Sequence, residues 1–177
     1  ADYHVEFVRA AEAVAREVAA ETRHVAFVYL LSGADFVCIA RSGRTSLKAL
    51  SIHAGTRRAL PLSAGGVAIL LALTAAERQS LVEACRVRMR RARDERIGGV
   101  ERMLRRSQRL RYALNRDDIV PGITAIGVGT ALPAPWHAAS VSIAGASESI
   151  DDRAVERIVA ALERGCATLR SSSVAPG

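Results

Sequence analysis

Two groups of short apolar segments, separated by a long stretch of helical pattern, constrain the fold most strongly. Residues 24–31 and 36–40 are rich in β-branched and aromatic side chains and flank a turn-forming segment, so they predict a hairpin. A third strand is predicted over residues 47–53, and further strands over residues 112–115, 123–130 and 137–144. Because helices interrupt the strands in blocks, the pattern predicts an α+β fold with an antiparallel sheet of five to six strands.

Helical patterns flank and divide these strands. Apolar side chains recur at steps of three and four over residues 4–20, which indicates an amphipathic helix. Three more helices are predicted over residues 67–73, 75–87 and 95–110, and another near the C-terminus. Thr74 with Glu77, and Ser149 with Asp152, resemble capping boxes at helix starts. Residues 171–177 are expected to form a flexible tail.

Composition argues against several classes of protein. No apolar run approaches the ~18 residues of a membrane span, and the first residues resemble no signal peptide, so we expect a cytoplasmic fragment of a longer protein. Cys38, Cys85 and Cys166 are widely spaced and odd in number, which favours buried thiols. The histidines lack the spacing of metal ligands, and Cys38 with His24 or His53 makes a poor catalytic pair on one sheet. We therefore expect no metal ion, no cofactor and no enzymatic activity.

The positive charge is concentrated in one helical stretch. Residues 86–116 contain twelve arginines against three acidic residues, while the whole chain has a formal charge of +7. This stretch predicts either a solvated helical face or a basic nucleic-acid-binding module that acts through the Arg-rich helix at residues 86–111. Aromatic side chains, on which single-stranded bases stack, are scarce there, and this favours the solvated face.

Two segments suggest a ligand site. The loop Ser63-Ala64-Gly65-Gly66 leads into a helix, whose first amides have no internal partner and whose dipole favours an anion. The alternative is that both glycines only allow close packing of the helix. Ser140, Ser142 and Ala144 alternate onto one face of a strand and could leave room for a ligand. The alternative there is small-residue packing beneath a helix.

Several motifs follow one another in a familiar order. They are Arg41-Ser42-Gly43-Arg44, Gly55 to Pro61-Leu62, Ser63 to Ala68, Tyr112-Ala113, Asp117-Asp118 to Gly122-Ile123, Ala138 to Gly145, and Asp151-Asp152-Arg153. Together they resemble the effector-binding domain of the isocitrate lyase regulator (IclR) family of bacterial transcription regulators. The resemblance implies a GAF-like or PAS-like antiparallel sheet flanked by helices.

The resemblance also implies a domain organisation and partners. Residues 1–22 would be the helix that leads from a linker into the domain, and residues 23–170 the effector-binding domain. In the family a winged helix-turn-helix domain precedes it and binds operator DNA, and the regulators form homodimers or homotetramers. The partner of this domain would be a small organic acid, with no membrane involved.

The pocket residues implied by the resemblance are scattered along the chain. The amides of Ala64 and Gly65 would hold the effector carboxylate, and the remaining positions that match the family pocket are Leu47, Ser63, Asn115, Ala125, Ser142 and Ala144. Asn115, Ala125 and Ala144 replace more polar or acidic groups of the family pattern. The resemblance therefore implies a larger or more apolar acid than glyoxylate or pyruvate.

Overall fold

The computed structural model describes residues 3–175, which form one six-stranded sheet and the helices that cover it. The helices are α1 (Tyr3–Thr22), α2 (Ala64–Ala72), α3 (Ala75–Arg91), α4 (Ile97–Leu110) and α5 (Val155–Ser172). The strands are β1 (Val25–Ser32), β2 (Asp35–Ser42), β3 (Arg57–Ala59), β4 (Ala113–Arg116), β5 (Ile123–Ala131) and β6 (Ala138–Ala146). Short 3₁₀ turns lie at Lys48–Leu50, Leu60–Leu62, Ser147–Ser149 and Asp152–Ala154.

The strands lie in the order β3-β2-β1-β6-β5-β4, and every neighbouring pair is antiparallel. The pairing of β1 with β6 joins the N-terminal strands to the C-terminal strands in the centre of the sheet. This arrangement confirms the predicted α+β class and the antiparallel sheet of five to six strands.

Helices cover both faces of the sheet, because its side chains alternate between two apolar layers. Ala26 and Val28 face the layer beneath α1 and α5, whereas Phe27 and Tyr29 face the layer formed with α2, α3 and α4. The most deeply buried large side chains come from both layers and include Phe7, Phe36, Ile69, Met103, Leu162 and Leu169. Each such side chain contributes about 1.5–3 kcal/mol by leaving water.

The predicted third strand over residues 47–53 is wrong. This segment contains a 3₁₀ turn in which the Leu50 amide donates to the Leu47 carbonyl at 3.0 Å, and the turn directs Leu50 into the core. The edge strand is instead Arg57–Ala59, which pairs with β2. This strand lacks apolar alternation because two of its three residues are exposed arginines, so the sequence pattern does not predict it. Charged residues are common on edge strands, where they discourage pairing with other chains.

One of the two expected capping boxes exists. The Thr74 hydroxyl accepts a hydrogen bond from the Glu77 amide at 3.2 Å, and α3 then continues to Arg91 rather than ending near residue 87. The second box is wrong, because the Ser149 hydroxyl donates to the Ala146 carbonyl. Two short 3₁₀ turns precede α5 instead, and the helix begins at Val155.

The C-terminal helix continues further than the pattern predicted. It ends at Ser172, and the buried Ser173 accepts a hydrogen bond from the Tyr3 hydroxyl. Residues 171–173, expected in a flexible tail, are therefore packed against the start of α1, while residues 176 and 177 lie outside the described part of the chain. Among residues 3–175 no helix has both the length and the apolar composition that crossing a bilayer requires.

Candidate ligand-binding site

A cavity of about 80 Å³ lies between the start of α2 and the sheet. Its walls come from β1, the 3₁₀ turn after β2, the start of α2, the β4–β5 segment and β6. The lining residues are Phe27, Tyr29, Ala49, Leu50, Ile52, Leu62, Ser63, Ala64, Gly65, Asn115, Ile119, Val120, Ile123, Ala125, Ser142 and Ala144. All candidate site residues except Leu47 therefore border one space.

The start of α2 presents unpaired backbone donors to this space. Ser63 caps the helix: its hydroxyl accepts from the Gly66 amide at 3.0 Å, and its carbonyl accepts from the Val67 amide at 3.0 Å. The amides of Ala64 and Gly65 have no acceptor among residues 3–175. Free amides at the positive end of a helix dipole favour a negatively charged group.

Packing explains both glycines of this loop. A Cβ atom on Gly65 would lie 2.3 Å from the Tyr29 ring, and one on Gly66 would lie 1.8 Å from the Leu60 carbonyl oxygen. Both positions exclude any larger residue because α2 lies directly on the sheet and on the preceding turn. The alternative interpretation, in which the glycines serve helix packing, accounts for their presence.

The sheet floor of the cavity is made by neighbouring strands in register. Asn115 of β4 pairs with Ala125 of β5, which pairs with Ala144 of β6, and Ser142 lies two residues before Ala144 on the same face. Small side chains at these positions leave the floor open beneath the helix start. Ser140 does not line the cavity, and its hydroxyl is buried with no hydrogen-bond partner.

The expected role of Leu47 does not fit its position. Leu47 is half-buried and packs at the edge of the core outside the cavity, because the segment turns instead of extending as a strand. Leu50 and Ile52 form that wall. Phe27 and Tyr29 were not predicted as site residues, although their alternation on β1 places them on the same sheet face as Ser142.

The cavity contains hydrogen-bonding groups but no charged side chain. The Asn115 side-chain oxygen accepts from the Asp118 amide at 3.2 Å, which leaves its NH₂ group without an acceptor among residues 3–175. The Ser142 hydroxyl also lacks a partner within that range, and burial raises the pKa of Tyr29, so its hydroxyl stays protonated. The site therefore offers donors and repels no anion.

A buried ion pair holds the segment that forms the outer wall. The side chain of Asp118 is 2% exposed, and its carboxylate accepts from Arg106 at 2.6 Å and from the Arg116 amide at 2.8 Å. The next residues along the chain, Ile119 and Val120, line the cavity. The ion pair thus fixes the wall against α4.

Ion pairs hold some arginines of the basic stretch against the domain. Arg86 binds Glu101 at 2.6 Å, Arg96 binds Asp94 at 2.7 Å, and Arg102 and Arg106 both contact Asp118. The Glu101 carboxyl has a lowered pKa because Arg86 donates hydrogen bonds to it. These contacts hold four of the twelve arginines within the domain, and the stretch keeps a net positive charge.

The thiols are not activated as nucleophiles. All three cysteines are buried, and burial raises the pKa of Cys38 to about 11 and that of Cys166 to about 12. A nucleophilic cysteine needs a lowered pKa and access to substrate. The described geometry favours binding over covalent chemistry.

Comparison with known proteins agrees with this architecture. The sequence matches the family described as "Bacterial transcriptional regulator IclR C-terminal" over residues 3–170. The match defines a domain of bacterial transcription regulators, a class distinct from enzyme families. The chain belongs to the IclR family, and it corresponds to the C-terminal domain. No curated protein sequence matches it.

Solved structures share the fold at low sequence identity. An IclR family transcriptional regulator from Brucella abortus has a TM-score of 0.76 at 17% identity, covering 97% of this chain and 65% of its own. An IclR homolog from Microbacterium hydrocarbonoxydans, complexed with 4-hydroxybenzoate, has a TM-score of 0.69 at 15% identity over 95% and 68%. The inducer-binding domain of PobR from Acinetobacter, a double mutant complexed with 3-hydroxybenzoic acid, has a TM-score of 0.67 at 15% identity over 92% and 96%.

Proposed function

We propose that this domain senses a small organic acid within a cytoplasmic transcription regulator. One observation carries the proposal. A cavity without charged side chains is lined by Ala64 and Gly65, whose helix amides are unpaired, and by Ser142, whose hydroxyl has no partner among residues 3–175. This arrangement suits a carboxylate, since it supplies hydrogen-bond donors and a favourable helix dipole. The hydroxybenzoate complexes of two structural neighbours support the same class of ligand.

The size of the cavity bears on how large the acid is. A volume of about 80 Å³ is well below the roughly 300–1,000 Å³ of ordinary ligand pockets. A compact acid fits the space as it stands, whereas a larger or more apolar acid would extend out of it past the exposed side chain of Val120.

The complete regulator would act on DNA through a part that precedes this domain. We propose that α1 leads from that part into the sensor, that a winged helix-turn-helix domain binds operator DNA, and that the protein assembles as a homodimer or homotetramer. Residues 23–170 would then be the effector-binding domain. The chain itself spans 65% of the Brucella relative, which leaves room for such a part there.

A thermal-shift screen of organic acids tests the proposal. An acid present at about 100 times its dissociation constant is expected to stabilise the fold by about 2.7 kcal/mol. Amides and alcohols of the same size, which are uncharged, serve as matched controls and are expected to have no effect. If uncharged analogues stabilise the domain as strongly as acids, the carboxylate site is contradicted.

Replacing Ser142 with alanine is expected to weaken binding of an acid found in that screen by about 0.5–1.5 kcal/mol, because one hydrogen bond is lost. Ser140→Ala is the matched control: Ser140 lies on the same strand, is buried, and does not line the cavity. Isothermal titration calorimetry measures both variants. Equal losses would show that the effect comes from the strand and not from contact with the ligand.

Replacing Asn115 with aspartate is expected to weaken binding of the same acid about tenfold, through repulsion by a second negative charge. An aspartate oxygen can still accept from the Asp118 amide, so the local backbone contact is retained. The test compares the dissociation constants of Asn115→Asp and of the uncharged Asn115→Ser at neutral pH, because only the aspartate adds a negative charge. An unchanged affinity at neutral pH would place the carboxylate away from Asn115.

A further inference from the structure

A second set of contacts in the cavity concerns Tyr29, which is 2% exposed. Its ring stacks on Phe36 at a centroid distance of 4.3 Å and lies against Gly65, so the side chain is held firmly in place. Its hydroxyl nevertheless has no hydrogen-bond partner among residues 3–175. Buried polar groups are normally paired, and an unpaired one calls for an explanation.

The Tyr29 hydroxyl borders open space. Among residues 3–175, the unpartnered side-chain polar atoms that are fully enclosed by protein are Arg41 Nε and Ser140 Oγ. The unpartnered hydroxyls of Tyr29 and Ser142 are not in that group, so each reaches an opening. The cavity at the start of α2 is lined by both residues.

Tyr29 and Asn115 lie on opposite sides of the position proposed for the carboxylate. Asn115 is on β4 and Tyr29 is on β1, and β5 and β6 run between them. Strands lie about 4.8 Å apart, so the two side chains approach the cavity from different flanks. The carboxylate position, at Gly65 and Ser142, already has donors from the helix start and from β6.

We infer that Tyr29 is a specificity-determining residue whose hydroxyl binds a second, uncharged oxygen of the effector. The effector is then a carboxylic acid that also carries a hydroxyl or carbonyl group. A protonated phenol suits either partner, since it can donate to a carbonyl and accept from a hydroxyl. The inference rests on the proposed function, because it concerns the same cavity and the same acid.

The discrimination follows from burial. An acid that lacks the second oxygen leaves the Tyr29 hydroxyl without a partner in a space now closed to water, whereas an acid that carries it completes the pair. One neutral hydrogen bond corresponds to a preference of about three- to tenfold. Tyr29→Phe removes only the oxygen and keeps the ring that packs against Phe36 and Gly65.

The experiment measures dissociation constants of the full chain and of Tyr29→Phe for matched acids: benzoate with 3- and 4-hydroxybenzoate, and propionate with lactate and pyruvate. The unmodified chain is expected to prefer at least one oxygen-bearing acid about three- to tenfold over its plain partner. Tyr29→Phe is expected to lose that preference, while its affinity for the plain acid stays within about twofold. Tyr112→Phe, a substitution outside the cavity, is the matched control and is expected to keep the preference.

The outcomes distinguish a failure of the proposed role of Tyr29 from a failure of the proposed acid site. If acids bind but the preference survives in Tyr29→Phe, or if hydroxylated and plain acids lose affinity equally, the role of Tyr29 is overturned and the acid site stands. If no acid in the panel binds the unmodified chain, the acid site itself fails for this size class and the role of Tyr29 falls with it. Thermal unfolding of each variant confirms that the fold is intact.

Discussion

Replacing Arg106 with alanine is expected to lower the free energy of unfolding by about 3–5 kcal/mol, the largest effect of any single substitution considered. Asp118 is almost fully buried, and Arg106 donates to it at 2.6 and 3.2 Å. Removing the guanidinium leaves a buried carboxylate with the Arg116 amide at 2.8 Å and the longer contact to Arg102 at 3.5 Å, and neither replaces the close paired charge. The same change frees the wall segment after Asp118, so binding to the cavity is expected to weaken too.

Urea denaturation of Arg106→Ala beside Arg105→Ala measures this effect. Arg105 is the preceding residue of α4 and is exposed, so its loss is expected to change stability by no more than about 0.5 kcal/mol. Adding Asp118→Asn to Arg106→Ala is expected to restore part of the loss, because the unpaired charge is removed. A destabilisation below about 1 kcal/mol would mean that the ion pair adds little to the folded state.

Replacing Gly99 with alanine is expected to destabilise the domain by about 3 kcal/mol, at the upper end for overpacking. A Cβ atom there would lie 1.8 Å from the Asp118 carbonyl oxygen, and a backbone atom cannot rotate away. The adjacent Gly98 is exposed, and the nearest atom to its Cβ would be an Arg102 nitrogen at 3.7 Å. Gly98→Ala is therefore expected to stabilise the helix by about 0.5–1 kcal/mol.

The two glycine variants differ by one position on one helix, and so they form a matched pair. Denaturation midpoints measured under identical conditions give the difference directly. Opposite signs support the tight approach of the β4–β5 segment to α4. If both substitutions destabilise the domain equally, the loss reflects helix content and the close contact is contradicted.

The pattern of the sequence predicts regular elements well and an edge strand poorly. Hairpin β1–β2 follows from turn chemistry between two apolar segments, and the central antiparallel sheet follows from the grouping of strands. Residues 47–53 mislead because Leu50 and Ile52 alternate like strand residues, whereas the segment turns and carries Leu50 into the core. β3 is short and carries two arginines, so tertiary pairing decides its conformation.

The candidate site was predictable where local chemistry carries the signal. The loop before α2 and the small residues of β6 could be predicted, because a helix cap and a row of small side chains are each recognisable within one short segment. Tyr29 was not predicted as a site residue, because the sequence of a mostly apolar strand does not indicate which side chain borders a cavity. The sequence correctly singles out Gly65 and Gly66, but it does not show why glycine is needed there. The distances to Tyr29 and Leu60 show that the reason is close packing.

The central position of the β1–β6 pair has a consequence for biosynthesis. β1 ends at Ser32 and its partner begins at Ala138, so the two strands that join the halves of the sheet are far apart along the chain. Until the ribosome has released β6, β1 has an unpaired edge and both apolar layers lack their middle strand. Topologies dominated by such distant pairs fold slowly and expose aggregation-prone edges in the meantime. A chain that stops before residue 138 is therefore expected to aggregate through the exposed edge of its N-terminal hairpin.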